Sequence, residues 1–231
     1  MEQIMITEKE RNYLRTLAEK QREMAQLPVM GERKKLWYLH NELKGPRPMI
    51  VMEEETFLNE ILPPLQCQDP DARRMEKQIL QTILPQQIFQ DDKVVTEEFK
   101  VDVQIENKLF DVEMKKQFAS DGIGYHIEPV MECLEEDMDI LKDSVFSYNK
   151  KETTRRLELA QEVLGDILQV RPENRINQWE FSLTEKAVWL MGSGSYCFSK
   201  ELPGADYQGK VLSRHLWGHM NSQESVYFAM V

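Results

Sequence analysis

Apolar residues at helical spacing dominate the first 45 residues. Thr7 and Glu10 have the spacing of a capping box, in which each side chain bonds the other residue's backbone N–H. Apolar positions then recur every three or four residues at Tyr13, Leu14, Leu17 and Ala18, and Pro28 ends the element. A second helical stretch carries Leu36, Trp37, Leu39, His40 and Leu43 and stops at Gly45-Pro46. The pattern predicts a two-helix arm ahead of the first strand.

Two uninterrupted apolar runs further along are typical of strands buried on both faces of a parallel sheet. They are Pro48–Met52 and Ile167–Val170. Asp69-Pro70 predicts the start of a helix that buries Met75, Ile79 and Ile83 and ends before Pro85. A further helix is predicted over Glu152–Leu164, with Gly165 after its last turn. Strand, helix and strand in this order favour an α/β fold.

Alternation with a period of two predicts a β-hairpin excursion between these elements. Val101, Val103 and Ile105 alternate with polar residues, and so do Phe110, Val112 and Met114, with Asn107-Lys108 as the predicted turn. Asp121-Gly122-Ile123-Gly124 is a second turn signal.

Composition narrows the class of protein. The chain has 231 residues, 41% of them hydrophobic, and a formal net charge of −11. The negative charge argues against a general nucleic-acid binder and against adhesion to anionic membranes. No apolar run reaches the ~20 residues of a membrane span, and the N-terminus lacks the pattern of a signal peptide. Cys67, Cys133 and Cys197 are far apart and odd in number, which disfavours a disulfide framework. We therefore predict a cytoplasmic protein.

The segment from Met191 to Glu224 concentrates glycine, histidine, tryptophan and hydroxyl residues, as a ligand-facing loop does. His215 and His219 could share a metal on a helix, but Gly218 weakens that helix and no third ligand has matching spacing, so we predict no metal site. Gly192–Ser195 fits a tight turn better than a phosphate cradle, because no lysine follows it.

Five islands of residues, in order along the chain, resemble the uroporphyrinogen decarboxylase-like superfamily, in particular its branch related to corrinoid-dependent methyltransferases. They are Leu36-Trp37 with Arg47–Met52; Cys67–Pro70 with Ala72, Arg73 and Glu76; Asp121–Gly124; Leu141-Lys142 through Arg156 with Gly165–Leu168; and Gly192–Gly194, Glu201–Gly204, Gly209-Lys210, Leu216–Gly218 and Ser222–Glu224.

The resemblance implies a (β/α)8 barrel with its site at the C-terminal ends of the strands. By the match, Ser222 is the hydroxyl that contacts substrate, and Asn221 stands where the decarboxylases have an acidic residue. With His219, Trp217 and Tyr196 these residues form the predicted substrate-binding set. In the methyltransferase relatives, His and Cys hold a zinc ion that activates a thiol. The family's arginine-rich motif and catalytic aspartate have no match here, so no catalytic residue is assigned.

The expected organisation is a helical arm over 1–46 and a partial barrel over 47–231. A complete barrel typically takes ~250 residues, so the chain looks internally shortened and C-terminally truncated. We expect a protein of this superfamily with little or no activity, and whether it is an enzyme stays open. The alternative is a non-catalytic protein that binds a corrinoid (cobalamin) or tetrapyrrole, or another subunit. The expected partners are a corrinoid protein or a second copy of the chain, and neither nucleic acid nor membrane.

Overall fold

The computed structural model describes residues 6–54, 57–113, 115–120, 125–131, 134–174 and 189–192. Its helices are α1 (Glu8–Ala25), α2 (Pro28–Asn41), α3 (Leu58–Ile61), α4 (Pro70–Ile88), α5 (Leu134–Asp137) and α6 (Lys150–Leu164). Its strands are β1 (Glu98–Asp102), β2 (Ile105–Lys108), β3 (Lys116–Phe118), β4 (Tyr125–Ile127), β5 (Val145–Tyr148) and β6 (Gln169–Glu173). Mixed helix and strand confirm the α/β class, and the described residues contain no TIM barrel.

Local signals set the ends of the long helices. The capping box at the start of α1 is confirmed, because the Glu10 backbone donates to the Thr7 hydroxyl and the Thr7 backbone donates to the Glu10 carboxylate. Asp69 caps α4 as predicted, with its carboxylate accepting from the backbones of Asp71 and Ala72 at 2.9 Å. The Gly165 N–H bonds the Gln161 carbonyl at the end of α6.

The predicted end of α4 before Pro85 is wrong, since Pro85 lies inside the helix, which continues to Ile88. A proline in the last turn removes only one backbone donor, and the Phe89 N–H still bonds the Pro85 carbonyl at 2.8 Å. The side chain of the next residue, Gln86, is buried against Arg33 and Asp91. These tertiary bonds offset the cost of the missing helical one.

The chain divides into two compact units, and the first comprises Met1–Gln104 and Lys150–Asn174. Its core joins α1, α4, α6, β1 and β6 through buried aliphatic residues, among them Leu14, Ile79, Phe99, Val163 and Leu168. The helix α1, which was predicted to belong to a separate arm, thus shares a core with α4. This division follows a different line from the predicted boundary after residue 46.

Strands β1 and β6 pair in parallel, from Glu98 opposite Gln169 to Asp102 opposite Glu173. Parallel neighbours need a crossover, and α6 immediately precedes β6 and packs on both strands. The prediction of a buried strand at Ile167–Val170 is confirmed only in part. Pairing begins at Gln169, two residues after the predicted start, because Ile167 and Leu168 are buried in the turn after α6. The residues of β6 itself are exposed or half-buried, so burial on both faces is wrong.

Side chains close the outer edge of β1, which faces away from β6. The Gln21 amide donates to the carbonyls of Thr96 and Glu98 at 2.9 and 3.0 Å. Gln78 donates to the Lys100 carbonyl at 2.8 Å, and Gln104 to that of Asp102 at 2.7 Å. On β6, the parallel register directs Val170 and Pro172 to the edge away from β1, and Pro172 has no N–H to offer there.

The prediction of a buried strand at Pro48–Met52 is wrong. No strand is formed at 48–52, and Ile50, Val51 and Met52 are 65%, 46% and 41% exposed. Two aspartate side chains, rather than a neighbouring strand, bond the backbone of this stretch.

The second unit comprises Ile105–Asn149 and Arg175–Val231. Its strands form two antiparallel pairs, β2 with β5 and β3 with β4, and the second turn signal stands between β3 and β4. The predicted hairpin at Asn107-Lys108 is wrong, because both residues lie within β2. The chain instead turns at Phe110 and Asp111, which have φ angles of 55° and 54°. Phe110 is buried with Met131 and Leu190, and this packing compensates the unfavourable backbone angle.

Candidate functional site

The predicted substrate-binding residues Tyr196, Trp217, His219, Asn221 and Ser222 lie outside the described residues, as do His215 and Cys197. Their role as a site stays a prediction. Of the glycine-rich turn, only Gly192 is described, with a φ of +70° that suits glycine.

The most deeply buried charged side chain among the described residues is Glu76 of α4, which is fully buried. One carboxylate oxygen accepts the Gln66 N–H at 2.7 Å, and the other accepts the Cys67 N–H at 2.9 Å. The Cys67 thiol and the Tyr13 hydroxyl lie close enough to this carboxylate for its charge to act on both. Glu76 therefore fixes the loop before α4 to the core, with its charge satisfied by several donors.

The chemistry of this buried cluster follows from how its groups titrate. Burial, then the neighbouring Glu76 charge, raises the pKa of Cys67 to about 12. The same two causes raise the pKa of Tyr13 to about 12. Both groups stay protonated at neutral pH and act as hydrogen-bond donors. A thiol held in this form is neither a nucleophile nor a good zinc ligand.

A second carboxylate, Glu10, joins the start of α1 to the start of α4. Besides its bonds within the capping box, it accepts the backbone N–H groups of Gln68 at 2.6 Å and Asp69 at 3.0 Å. The bonds from the Thr7, Gln68 and Asp69 backbones lower the pKa of Glu10 to about 2. This carboxylate is a structural anchor that stays ionised in mildly acidic solution.

The third arrangement is the aspartate clamp, which we define as Asp91 and Asp92 with the backbone of Ile50 and Met52. The Asp92 carboxylate accepts the Ile50 N–H at 2.9 Å, and its own N–H donates to the Ile50 carbonyl at 2.9 Å. Asp91 accepts the Met52 N–H at 2.8 Å. Together these bonds reproduce the pattern that a neighbouring strand would supply.

Arginine completes the clamp. Arg47 bonds both oxygens of Asp92 at 2.7 and 2.6 Å, and the Trp37 indole N–H donates to the Asp92 carbonyl at 2.8 Å. The Arg47 guanidinium, followed by the Ile50 N–H, holds the pKa of Asp92 well below its usual range. The clamp is thus charged and intact at neutral pH, while the side chains of 50–52 stay exposed.

Several residues of the family-like islands have structural roles. Arg73 donates to the Cys67 carbonyl at 2.8 Å, and Arg156 bonds Glu152 at 2.7 Å within α6. Asp166 accepts both terminal nitrogens of Arg15, at 2.7 and 2.6 Å. Of these contacts, the Arg15–Asp166 pair joins distant segments of the first unit and the other two are local, and none brings a catalytic set into one place.

Sequence reasoning missed the roles of Glu76 and of the aspartate clamp. Glu76 follows Met75 on the buried side of α4. A carboxylate at a core position of the predicted helix could have indicated a buried polar contact. The clamp gave no such signal, because Asp91 and Asp92 lie about forty residues beyond the backbone that they bind.

Comparison with known proteins finds no match to a family model, a curated protein or a solved structure. In the described part of the chain, no three His, Cys, Asp or Glu side chains converge as metal ligands do. None of the described helices is long and apolar enough to span a membrane.

Proposed function

We propose that this chain is a uroporphyrinogen decarboxylase-like protein related to the corrinoid-dependent methyltransferases, with little or no catalytic activity of its own. The observation that supports the proposal is the parallel β1–α6–β6 crossover, the kind of unit from which a (β/α)8 barrel is built. The first, second and part of the fourth family-like islands lie in the same compact unit as this crossover.

An incomplete TIM-barrel-like arrangement is part of the proposal. The outer carbonyls of β1 already accept glutamine amides, and Pro172 offers no N–H on the outer edge of β6, which suits an arrangement that is not continued into a full barrel. The second unit interrupts the connection from β1 to α6, which suits an excursion inserted into a barrel repeat.

Low activity is proposed because the family's arginine-rich motif and catalytic aspartate have no match among the residues of this sequence. The relatives activate a thiol on zinc that is held by His and Cys. Cys67 is fully buried, and its raised pKa keeps the thiol protonated. The residues proposed to contact a corrinoid or tetrapyrrole are Tyr196, Trp217, His219, Asn221 and Ser222.

Absorbance titrations with cobalamin and with a carboxylated porphyrin test the binding. We expect one of the two to bind, and Ser222→Ala to weaken binding about tenfold through the loss of a hydrogen bond. Ser225→Ala, three residues away, is the matched control and should leave the affinity unchanged. Binding of neither compound would contradict the ligand assignment. Methyl transfer from methylcobalamin to a free thiol by the purified chain would contradict the low activity.

A second candidate function, a non-catalytic role in subunit interaction, is favoured by the backbone of 49–52. The clamp bonds one edge of this stretch, whereas no described residue bonds the backbone of Met49 or Val51 on the other. An exposed apolar strand edge of this kind is a template for pairing with another chain.

A further inference from the structure

We propose that two copies of this chain pair as antiparallel strands through residues 47–53, with Ile50 on the twofold axis. The inference rests on the second candidate function, subunit interaction, and names its partner as a second copy. Four observations on the chain carry it: the direction of the backbone bonds, the order of the residues, the exposure of the side chains and the closure of the edges of the β1–β6 pair.

The clamp makes the extended stretch one half of a strand pair. Ile50 and Met52 direct their N–H groups to Asp92 and Asp91, so both face the inner edge. In an extended chain the backbone groups of successive residues point to opposite edges. Met49 and Val51 therefore direct their N–H and C=O groups outward, and no described residue bonds them. Within the described part of the chain, the inner edge is satisfied and the outer edge is available.

The order of residues is self-complementary about Ile50. Antiparallel pairing centred there places Met49 opposite Val51, Pro48 opposite Met52 and Arg47 opposite Glu53. Met49 and Val51 are the residues that face outward, so they would exchange backbone hydrogen bonds across the axis. The pairs of Met49 with Val51 and of Pro48 with Met52 join apolar with apolar side chains, an arrangement that stabilises neighbouring strands, while the Arg47 side chain stays on Asp92.

Ile50 is the most exposed residue of the three apolar side chains at 50–52, at 65%. On the axis it would meet its own copy in a pair without backbone bonds, where the Cα atoms approach to about 4.5 Å. Pairing removes both isoleucines from water. A ladder of seven residues buries less than a standard interface, so we expect a weak dimer with a dissociation constant of roughly 10–100 μM.

We place the contact between the two copies at 47–53, rather than at the β1–β6 pair, because both outer edges of that pair are blocked. Glutamine amides occupy the outer carbonyls of β1, and Pro172 lacks an N–H on the outer edge of β6. Both features oppose the addition of a strand. The outer edge at Met49 and Val51 carries neither obstacle.

Sedimentation velocity over a concentration series tests the dimer. Ile50→Lys places two ammonium groups together on the axis and should weaken association more than tenfold. The matched control is Leu43→Lys, at an apolar residue that is 94% exposed and lies outside 47–53, and it should change association less than twofold. A far-UV spectrum and a urea midpoint equal to those of the parent show that each variant is folded.

Disulfide cross-linking tests the register, in a background where Cys133→Ser and Cys197→Ser leave the buried Cys67 as the one native cysteine. With Ile50→Cys, the two cysteines face each other at a Cα–Cα distance that a disulfide can bridge. With Met52→Cys, each cysteine faces Pro48 of the other copy, and no disulfide can form. We expect at least ten times more covalent dimer from Ile50→Cys. Equal yields would overturn the register.

The outcomes separate this inference from the function on which it rests. A chain that stays monomeric at several hundred micromolar overturns self-pairing. If the Val51 N–H then exchanges rapidly with solvent, the outer edge is free and the subunit-interaction role stands with a different partner. If the Val51 N–H is protected in a monomer, another part of the chain covers it, and both the dimer and that role are overturned.

Discussion

Two stretches of backbone in the first unit, β1 and residues 49–52, differ in whether side chains bond their second edge. Each has one edge bonded within the chain, to β6 in the first case and to Asp91 and Asp92 in the second. The outer edge of β1 is closed by the amides of Gln21, Gln78 and Gln104. At the outer edge, none of the residues that the structure describes bonds the backbone of Met49 or Val51.

The comparison shows that side chains alone can block the edge of a sheet, or can order a stretch of backbone so that another strand can pair with it. A glutamine amide donates to a strand carbonyl as a backbone N–H would, and it blocks that position without adding another strand. An aspartate carboxylate accepts from a backbone N–H as a strand carbonyl would, and in the described residues it orders a stretch of backbone that has no neighbouring strand. The glutamine amides block the addition of a strand to β1, and the aspartates hold residues 49–52 in a position to pair with one.

The largest effect is expected from opening the closed edge. Gln21 is only 2% exposed, and Gln21→Leu leaves the carbonyls of Thr96 and Glu98 without their donors. We expect the free energy of unfolding to fall by about 2 kcal/mol, measured by urea denaturation, because each buried acceptor loses its partner.

Gln78→Leu is the control for this change. Gln78 donates to one carbonyl from an exposed position, so its replacement should cost about 0.5 kcal/mol. Equal losses from the two variants would show that the amides do not close the edge in the way that we describe.

Protonation of Asp92 in acid should break the aspartate clamp, and the loss of stability should be smaller than that caused by Gln21→Leu. Because Arg47 and the Ile50 N–H lower the pKa of Asp92 in the folded chain, the unfolded chain takes up the proton first as pH falls. The stabilisation is therefore complete above the ordinary value of about 3.9 and is lost as pH falls below it.

Asp92→Asn isolates this contribution. Near pH 7 the variant should be less stable than the parent by about 1–2 kcal/mol, and the difference should shrink below about pH 3. Urea denaturation at several pH values measures it. A difference that stays constant from pH 7 to pH 2.5 would rule out a charged clamp.

The smallest effect is expected at β6. Pro172→Val restores an N–H on the outer edge of that strand and should change the free energy of unfolding by less than about 0.5 kcal/mol. The expected readout is a slight rise in self-association by sedimentation velocity. Reduced association would mean that Pro172 itself lies in a contact.

How far the sequence predicts this fold depends on how local each signal is. The capping box of Thr7 and Glu10, the Asp69 cap and the stop at Gly165 are each written within a few residues, and all three are confirmed. The turn at Phe110 and Asp111 carries no glycine or asparagine, so the pattern placed it at Asn107-Lys108 instead. The packing of Phe110 against Met131 and Leu190 determines the position of the turn. Such contacts between distant residues have no signature in the local sequence.

The stretch 48–52 shows how far the candidate site could be predicted from the sequence. Continuous apolar residues predict burial on both faces. Here Ile50, Val51 and Met52 are exposed, because two aspartates remote in sequence bond the backbone. Glu76 was readable as a carboxylate at a core position of α4. The C-terminal set from Tyr196 to Ser222 lies outside the described residues and stays a prediction.

Residue-resolved amide hydrogen exchange of residues 49–52 tests the central claim most directly. In dilute solution the N–H groups of Ile50 and Met52 should exchange slowly, and those of Met49 and Val51 rapidly, because only the first two are bonded to the clamp. At high concentration, Met49 and Val51 should become protected as well. Uniformly rapid exchange at all four residues would contradict the clamp, and a slow Val51 in dilute solution would contradict the open edge.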